Sequence, residues 1–303
     1  MIALATTFDR RALLGPQALI DRSVELLQRA DVPDGRGALV IDAQLDAGPT
    51  PRSDRLDGLI AILEKVKTIP VLAVEAPSGL AGRPALASLD KEESRLGVLD
   101  VEATLRRASA LGARYVVLRL GWVEGARRDW LYARDRFLRA QLGRPLADQL
   151  RAARDRVAPG HVDRARSALD RLCRVADSLG TILLVKNGQR YVELPSAPEW
   201  TSLAQDLAGA PIAGLFDRPA AHLPALMGFT APAIAAAAFA GPVRYAGDAC
   251  GAIAALPLGH GELGPEPSEP AREDAHVVFR PWPQLDEDEV VLGLRRLVSA
   301  PRG

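Results

Sequence analysis

The sequence predicts a single closed barrel of eight parallel strands, each followed by a helix, over residues 1–303. Three observations predict it. Short apolar, β-branched runs recur along the whole chain. Longer amphipathic or charged stretches separate them, which is the strand–helix alternation of a parallel sheet with right-handed crossovers. The runs themselves are apolar almost throughout, as in strands buried on both faces. At 303 residues the eight-fold barrel is preferred, with a doubly wound open sheet as the alternative.

Taken in order, the expected strands are Ile2–Phe8, Ala38–Asp42, Ile69–Glu75, Tyr115–Leu120, Thr181–Val185, Ile212–Phe216, Val243–Ala246 and His276–Phe279. Between them, Ala18–Ala30, Arg55–Val66 and Val101–Leu111 carry apolar residues at helical spacing, the last closed by Gly112. Val162–Leu179 is a further helix before Gly180, and Pro198–Leu207 follows a capping Ser196. Asp286–Val298 opens with acids and closes on Arg295 and Arg296, which suits the helix dipole. Ala231–Ala240 reads as a buried, Ala-rich helix, far short of the ~20 apolar residues of a membrane span.

Two stretches break the rhythm. Residues 122–160 exceed a strand-to-helix loop and include a helical run from Pro145 to Val157; residues 259–274 are rich in Gly, Pro and Glu. Each follows a strand, so both are expected at the C-terminal face of the barrel, the first as a helical insertion that narrows the mouth and the second as a long loop.

Composition narrows the function. Lys+Arg and Asp+Glu each number 38, so no basic excess exists to neutralise nucleic-acid phosphates. Two cysteines, Cys173 and Cys250, make neither a disulfide framework nor a Cys-rich metal site. No signal peptide or membrane span is visible, and a reduced, cytoplasmic setting is expected. Gly259–Gly264 fits G-x-G-x-x-G, but prolines at 265, 267 and 270 forbid the helix a dinucleotide fingerprint must open.

Longer stretches carry more. Leu96–Leu120, Ala168–Gly188, Pro211–His222 and Val243–Leu263 follow one another as helix–strand, helix–Gly–strand, strand–Asp and strand–Asp–loop segments. In this order they resemble the xylose-isomerase-like barrels, the superfamily of sugar and sugar-phosphate isomerases and epimerases and the related apurinic endonucleases. The resemblance implies a divalent metal such as Mn, Co or Mg at the strand ends, and proton transfer beside a carbonyl through an enediolate. The departures lie at the ligand positions. The strand-four His position is Arg119, the strand-five Glu is Lys186, and the strand-seven His is Tyr245; the strand-eight Glu falls near Phe279 or Arg280. Asp217 and Asp248 are kept, and the His after the first is displaced to His222.

Arginine and protonated lysine have no lone pair for a metal. The expected site therefore lacks a metal and any cofactor, with the divalent ion as the alternative. Lys186, Asp217 and Glu75 are its candidate catalytic residues. Three roles are open to Lys186: an ion pair with Asp217 or Glu193 in place of the metal, an anion contact, or a Schiff-base amine. The first places Lys186 and Asp217 within pairing reach. Arg119, His222, Tyr245, Asp248, His260, Glu262 and Trp122 are candidate ligand contacts. The expected function is a degenerate, non-metal binding or accessory protein, a pseudoenzyme that takes a small polar or anionic molecule, with an unidentified protein partner as a further expectation. The alternative is a sugar or sugar-phosphate isomerase or epimerase with an altered site. An endonuclease is disfavoured, since it needs many metal ligands and a basic face.

Overall fold

Eight strands close into one parallel barrel in the computed structural model, which describes residues 1–6, 16–33, 35–41, 58, 61–63, 69–79, 83–246, 248–250, 253–256, 275–281 and 285–299. The strands are β1 (Ile2–Ala5), β2 (Gly37–Ile41), β3 (Val71–Glu75), β4 (Tyr115–Leu118), β6 (Ile182–Lys186), β8 (Ile212–Asp217), β9 (Val243–Ala246) and β12 (His276–Phe279). Their order around the barrel follows the chain, and β1 pairs with β12 to close it. All eight coincide with the apolar runs. The open sheet is thereby excluded.

Alternation along each strand divides the core in two. Ala3, Ala5, Ala38, Val40, Ala73, Tyr115, Val117, Leu184, Leu215, Val243 and Val278 form a buried cluster that fills the barrel. Their neighbours Leu4, Leu39, Val74, Val116, Val185, Phe216 and Phe279 belong to the larger cluster that the helices cover. Side chains alternate across a strand with period two. The same alternation decides which residues emerge at the top.

Four short strands lie outside the barrel: β5 (Gly121–Trp122) pairs antiparallel with β7 (Glu193–Leu194), and β10 (Asp248–Cys250) with β11 (Ile253–Leu256). Strands of two to four residues carry too little periodicity to be read from the sequence.

The helices depart from expectation in three places. The helix before β4 begins at Lys91, not Val101, because Asp90 Oδ1 accepts the Glu92 and Glu93 amides at 2.8 and 2.9 Å. Such a cap satisfies amides that a helix start otherwise leaves unpaired. Pro145–Val157 and Val162–Leu179 are one helix, Arg144–Ser178, with Pro159 inside it. Ala158, His161, Ala165, Leu169 and Leu172 continue its buried face through the proline, so packing outweighs the hydrogen bond that proline cannot make. The Ala-rich segment is the short helix Pro232–Ala238, and only Ala235 of it is buried; Ile234 is 61% exposed. Expectation of a buried helix fails there, since alanines offer too little apolar surface to force burial.

Residues 122–160 are mostly helical, with Arg127–Leu138 as a separate helix before the long one. They are also part of the main core: Trp130, Ala133, Ala147 and Leu150 are buried in it. Of the 55–66 helix only 58 and 61–63 are described, and they are helical; the loop 259–274 lies outside the described residues. No helix among the described residues is long and apolar enough to cross a membrane.

Candidate functional site at the barrel mouth

One step of two beyond the barrel filling brings five charged residues and a tyrosine to the C-terminal rim. Ala73 is followed by Glu75, Val117 by Arg119, Leu184 by Lys186, Leu215 by Asp217, Val243 by Tyr245 and Val278 by Arg280. Since Ala73, Val117, Leu184, Leu215, Val243 and Val278 face the barrel interior, alternation turns all six upper residues inward. Each stands at or just past the end of its strand, on the face where barrel enzymes carry their sites.

The five charges form one buried network. Lys186 Nζ lies 2.5 Å from Asp217 Oδ2. Arg119 donates through Nε and Nη2 to Glu75 Oε1, at 3.1 and 2.9 Å. Arg280 spans the two carboxylates, 3.7 Å from Glu75 Oε2 and 3.9 Å from Asp217 Oδ2. Tyr245 packs beside them, its ring centroid 5.1 Å from Lys186 Nζ and 6.0 Å from the Arg280 guanidinium carbon. Glu75, Lys186, Asp217 and Arg280 are buried, whereas the Arg119 side chain retains 13% of its exposure.

Local structure holds each member. Asp217 is also the cap of the helix Arg218–Leu226, with Oδ1 accepting the Ala220 amide at 2.9 Å. Asn187 brackets Asp217: its Oδ1 accepts the Asp217 amide at 2.6 Å and its Nδ2 donates to the Asp217 carbonyl at 3.1 Å. Gly79 adopts φ +73°, and a Cβ there would stand 2.8 Å from the Arg119 carbonyl oxygen. Only glycine lets the loop after β3 lie this close to Arg119.

Burial and charge compete in every pKa. Burial pushes Glu75 up, but Arg280, Arg119 and Lys186 together hold it well below the usual carboxylate range. Burial likewise raises Asp217, and Lys186 with Arg280 outweighs it, leaving a net lowering. For Lys186 burial lowers the value, Arg119 and Arg280 add to that, and Asp217 and Glu75 recover part of it; the amine is lowered to about 8.

Among the described residues no three His, Cys, Asp or Glu side chains converge as metal ligands. Among the described residues the two carboxylates that reach the mouth, Glu75 and Asp217, are each held between cations. The described donors by themselves do not fit a divalent ion, which needs several free oxygen or imidazole donors.

Of the sequence candidates, Glu75, Arg119, Lys186, Asp217 and Tyr245 are brought together. His222 is buried on the helix that Asp217 caps. Trp122 lies half-buried in β5, paired with Glu193 of β7, and is not a member of the charge network. Asp248 stands in β10 with its side chain outside the described residues, as are His260 and Glu262 entirely. Arg280 was legible only as the place of a missing strand-eight carboxylate, and it proves a full member; counting two on from Val278 would have identified it. Asn187 was passed over because its role depends on the neighbouring strand. A separate cavity of about 350 Å³ lies alongside, walled by Arg154, Tyr191, Phe229, Phe239 and Asn187.

No family model matches the chain, and no curated protein matches it. Solved structures do. A D-tagatose 3-epimerase-like protein superposes with a TM-score of 0.65 at 12% identity, covering 98% of this chain and 95% of that one. An L-ribulose 3-epimerase gives 0.63 at 15%, over 98% and 92%. A xylose isomerase domain protein from Planctomyces limnophilus gives 0.59 at 16%, over 98% and 97%. At such identities the likeness establishes the fold.

Proposed function

We propose that this xylose-isomerase-like barrel works without a metal, as a binding or accessory protein whose mouth takes a small polar or anionic molecule. The observation that carries the reading is the network itself. Among the described residues, Arg119, Lys186 and Arg280 stand with two carboxylates, Glu75 and Asp217, at the strand ends. Fixed protein cations stand at the strand ends, where the resemblance implies a metal, and the part-exposed guanidinium of Arg119 favours an anion. Arg119 is the approach: it keeps the largest exposure of the five, and its Nη1 has no hydrogen-bond partner among the described residues.

Isomerisation or epimerisation by proton transfer beside a carbonyl needs a carboxylate free to take a proton. Glu75 and Asp217 are both ion-paired and held in the ionised form, which makes them weak bases. Similar structures include sugar epimerases, so the reading has a direct competitor to be tested against. Untagged protein should carry well below one Mn, Co, Zn or Mg per chain by elemental analysis. Phosphate and gluconate should raise its melting temperature at pH 7 above a chloride control of equal ionic strength. Stoichiometric metal together with metal-dependent epimerisation of a ketose would overturn the proposal.

A further inference from the structure

We infer that the cavity beside the barrel is a second small-molecule site, which takes an uncharged aromatic compound bearing a hydroxyl or carbonyl group, a phenol for example. It stands apart from the reading of the mouth and does not depend on it.

Position is the first ground. Tyr191, Phe229, Phe239, Ala221 and Ala235 line the cavity, and all five belong to the core that the helices cover. The cavity therefore lies in the helix layer and not inside the barrel. Its volume of about 350 Å³ is within the range of small-molecule sites and far above the space of one buried water.

Packing is the second ground. Protein interiors fill to near-crystal density, so a gap of this size in a core needs a cause. Side-chain size supplies it. Ala221 and Ala235, buried on the helices Arg218–Leu226 and Pro232–Ala238, bring only a methyl group each to the wall. Aromatic rings are the other main part of that wall, and they are held before any ligand arrives. Tyr191 stacks on Phe229 with centroids 3.9 Å and planes 14° apart, and Phe239 stacks on Trp200 at 5.7 Å and 13°. A flat apolar ligand meets this fixed ring surface at little ordering cost.

Charge decides against an ion. Arg154 is buried on the wall, donates to both carboxylate oxygens of Glu199 and contacts Asp155 Oδ1 at 3.1 Å. Arg151 donates to Asp148 at 2.6 Å, and Arg190 lies 3.6 Å from Glu193. Each of the three arginines on the wall thus has its own carboxylate. A charged ligand would give up water without gaining a free counter-ion. A single hydroxyl or carbonyl is readily served, since Thr230 stands exposed on the rim.

β-Naphthol is the probe, and β-naphthoate, equally flat but anionic, is its control. Both are titrated into the full chain at pH 7 by isothermal calorimetry. β-Naphthol should bind one per chain with a Kd of about 100 µM or tighter, and β-naphthoate at least about tenfold more weakly. Ala235→Leu fills the cavity from a buried position, and Ala231→Trp covers its edge from an exposed one. Each should weaken β-naphthol by at least about tenfold. Should Ala235→Leu fail to fold, Ala231→Trp decides. Absence of saturable β-naphthol binding would overturn the inference. So would β-naphthoate binding as tight as that of β-naphthol, or undiminished binding in either folded variant.

Discussion

Replacing Lys186 by methionine separates a buried lysine whose proton is costly to hold from an ordinary buried ion pair. The Lys186 side chain is 1% exposed, and its amine is lowered from 10.5 to about 8. Holding its proton in the folded state therefore costs roughly 3 kcal/mol, at about 1.4 kcal/mol per pKa unit. The sign follows from linkage. Below pH 8 folded and unfolded chains both hold the proton, and the penalty is present in full. Between pH 8 and 10.5 the unfolded chain holds more protons than the folded one, so stability rises with pH. Lys186→Met removes the charge and leaves Asp217 with Arg280 at 3.9 Å and the Ala220 amide at 2.9 Å. Substitution of buried ionic groups by apolar ones of similar volume is often neutral, so the expected change at pH 7 is within about 1 kcal/mol. Urea denaturation of both proteins between pH 7 and 9.5 is the assay. Wild type should gain on the variant as pH rises, by about 2 kcal/mol at pH 9.5. An ordinary pair behaves oppositely: the variant would lose about 3–5 kcal/mol at pH 7, and wild type would not gain on it above pH 8. That result would refute the reading of Lys186 as a buried cation whose proton is costly to hold.

Two further outcomes are expected. Glu75 and Asp217 are lowered below their unfolded values, so the stability they contribute is present above about pH 4 and lost as pH falls through the folded values; an acid titration of circular dichroism should show cooperative unfolding below pH 4, and a transition centred above pH 5 would contradict it. Trp130→Ala should cost about 3–5 kcal/mol by urea denaturation, because Trp130 is 4% exposed in the main core; a loss under 1 kcal/mol would make residues 122–160 an appendage.

The barrel was written locally in the chain. Each apolar run that closes it is a segment of about five residues bounded by helix patterning, and burial on both faces leaves such strands no polar alternative. The rim charges were legible too, because period-two alternation is a property of each strand alone. Val117 to Arg119 and Val278 to Arg280 are steps that can be counted without coordinates. Helix limits were less legible where a single cap or packing decided them: Asp90 moved one start back to Lys91, and the buried face through Ala158 and His161 carried a helix across Pro159. Only the tertiary structure could bring the five charges into one network. The Glu75–Arg119 and Lys186–Asp217 contacts each join neighbouring strands, but Arg280, past β12, reaches both carboxylates only because barrel closure sets the ends of β3, β8 and β12 around one mouth. Closure also buries them, and burial is what makes the proton on Lys186 costly. In water the same five residues would carry the same charges with no such consequence.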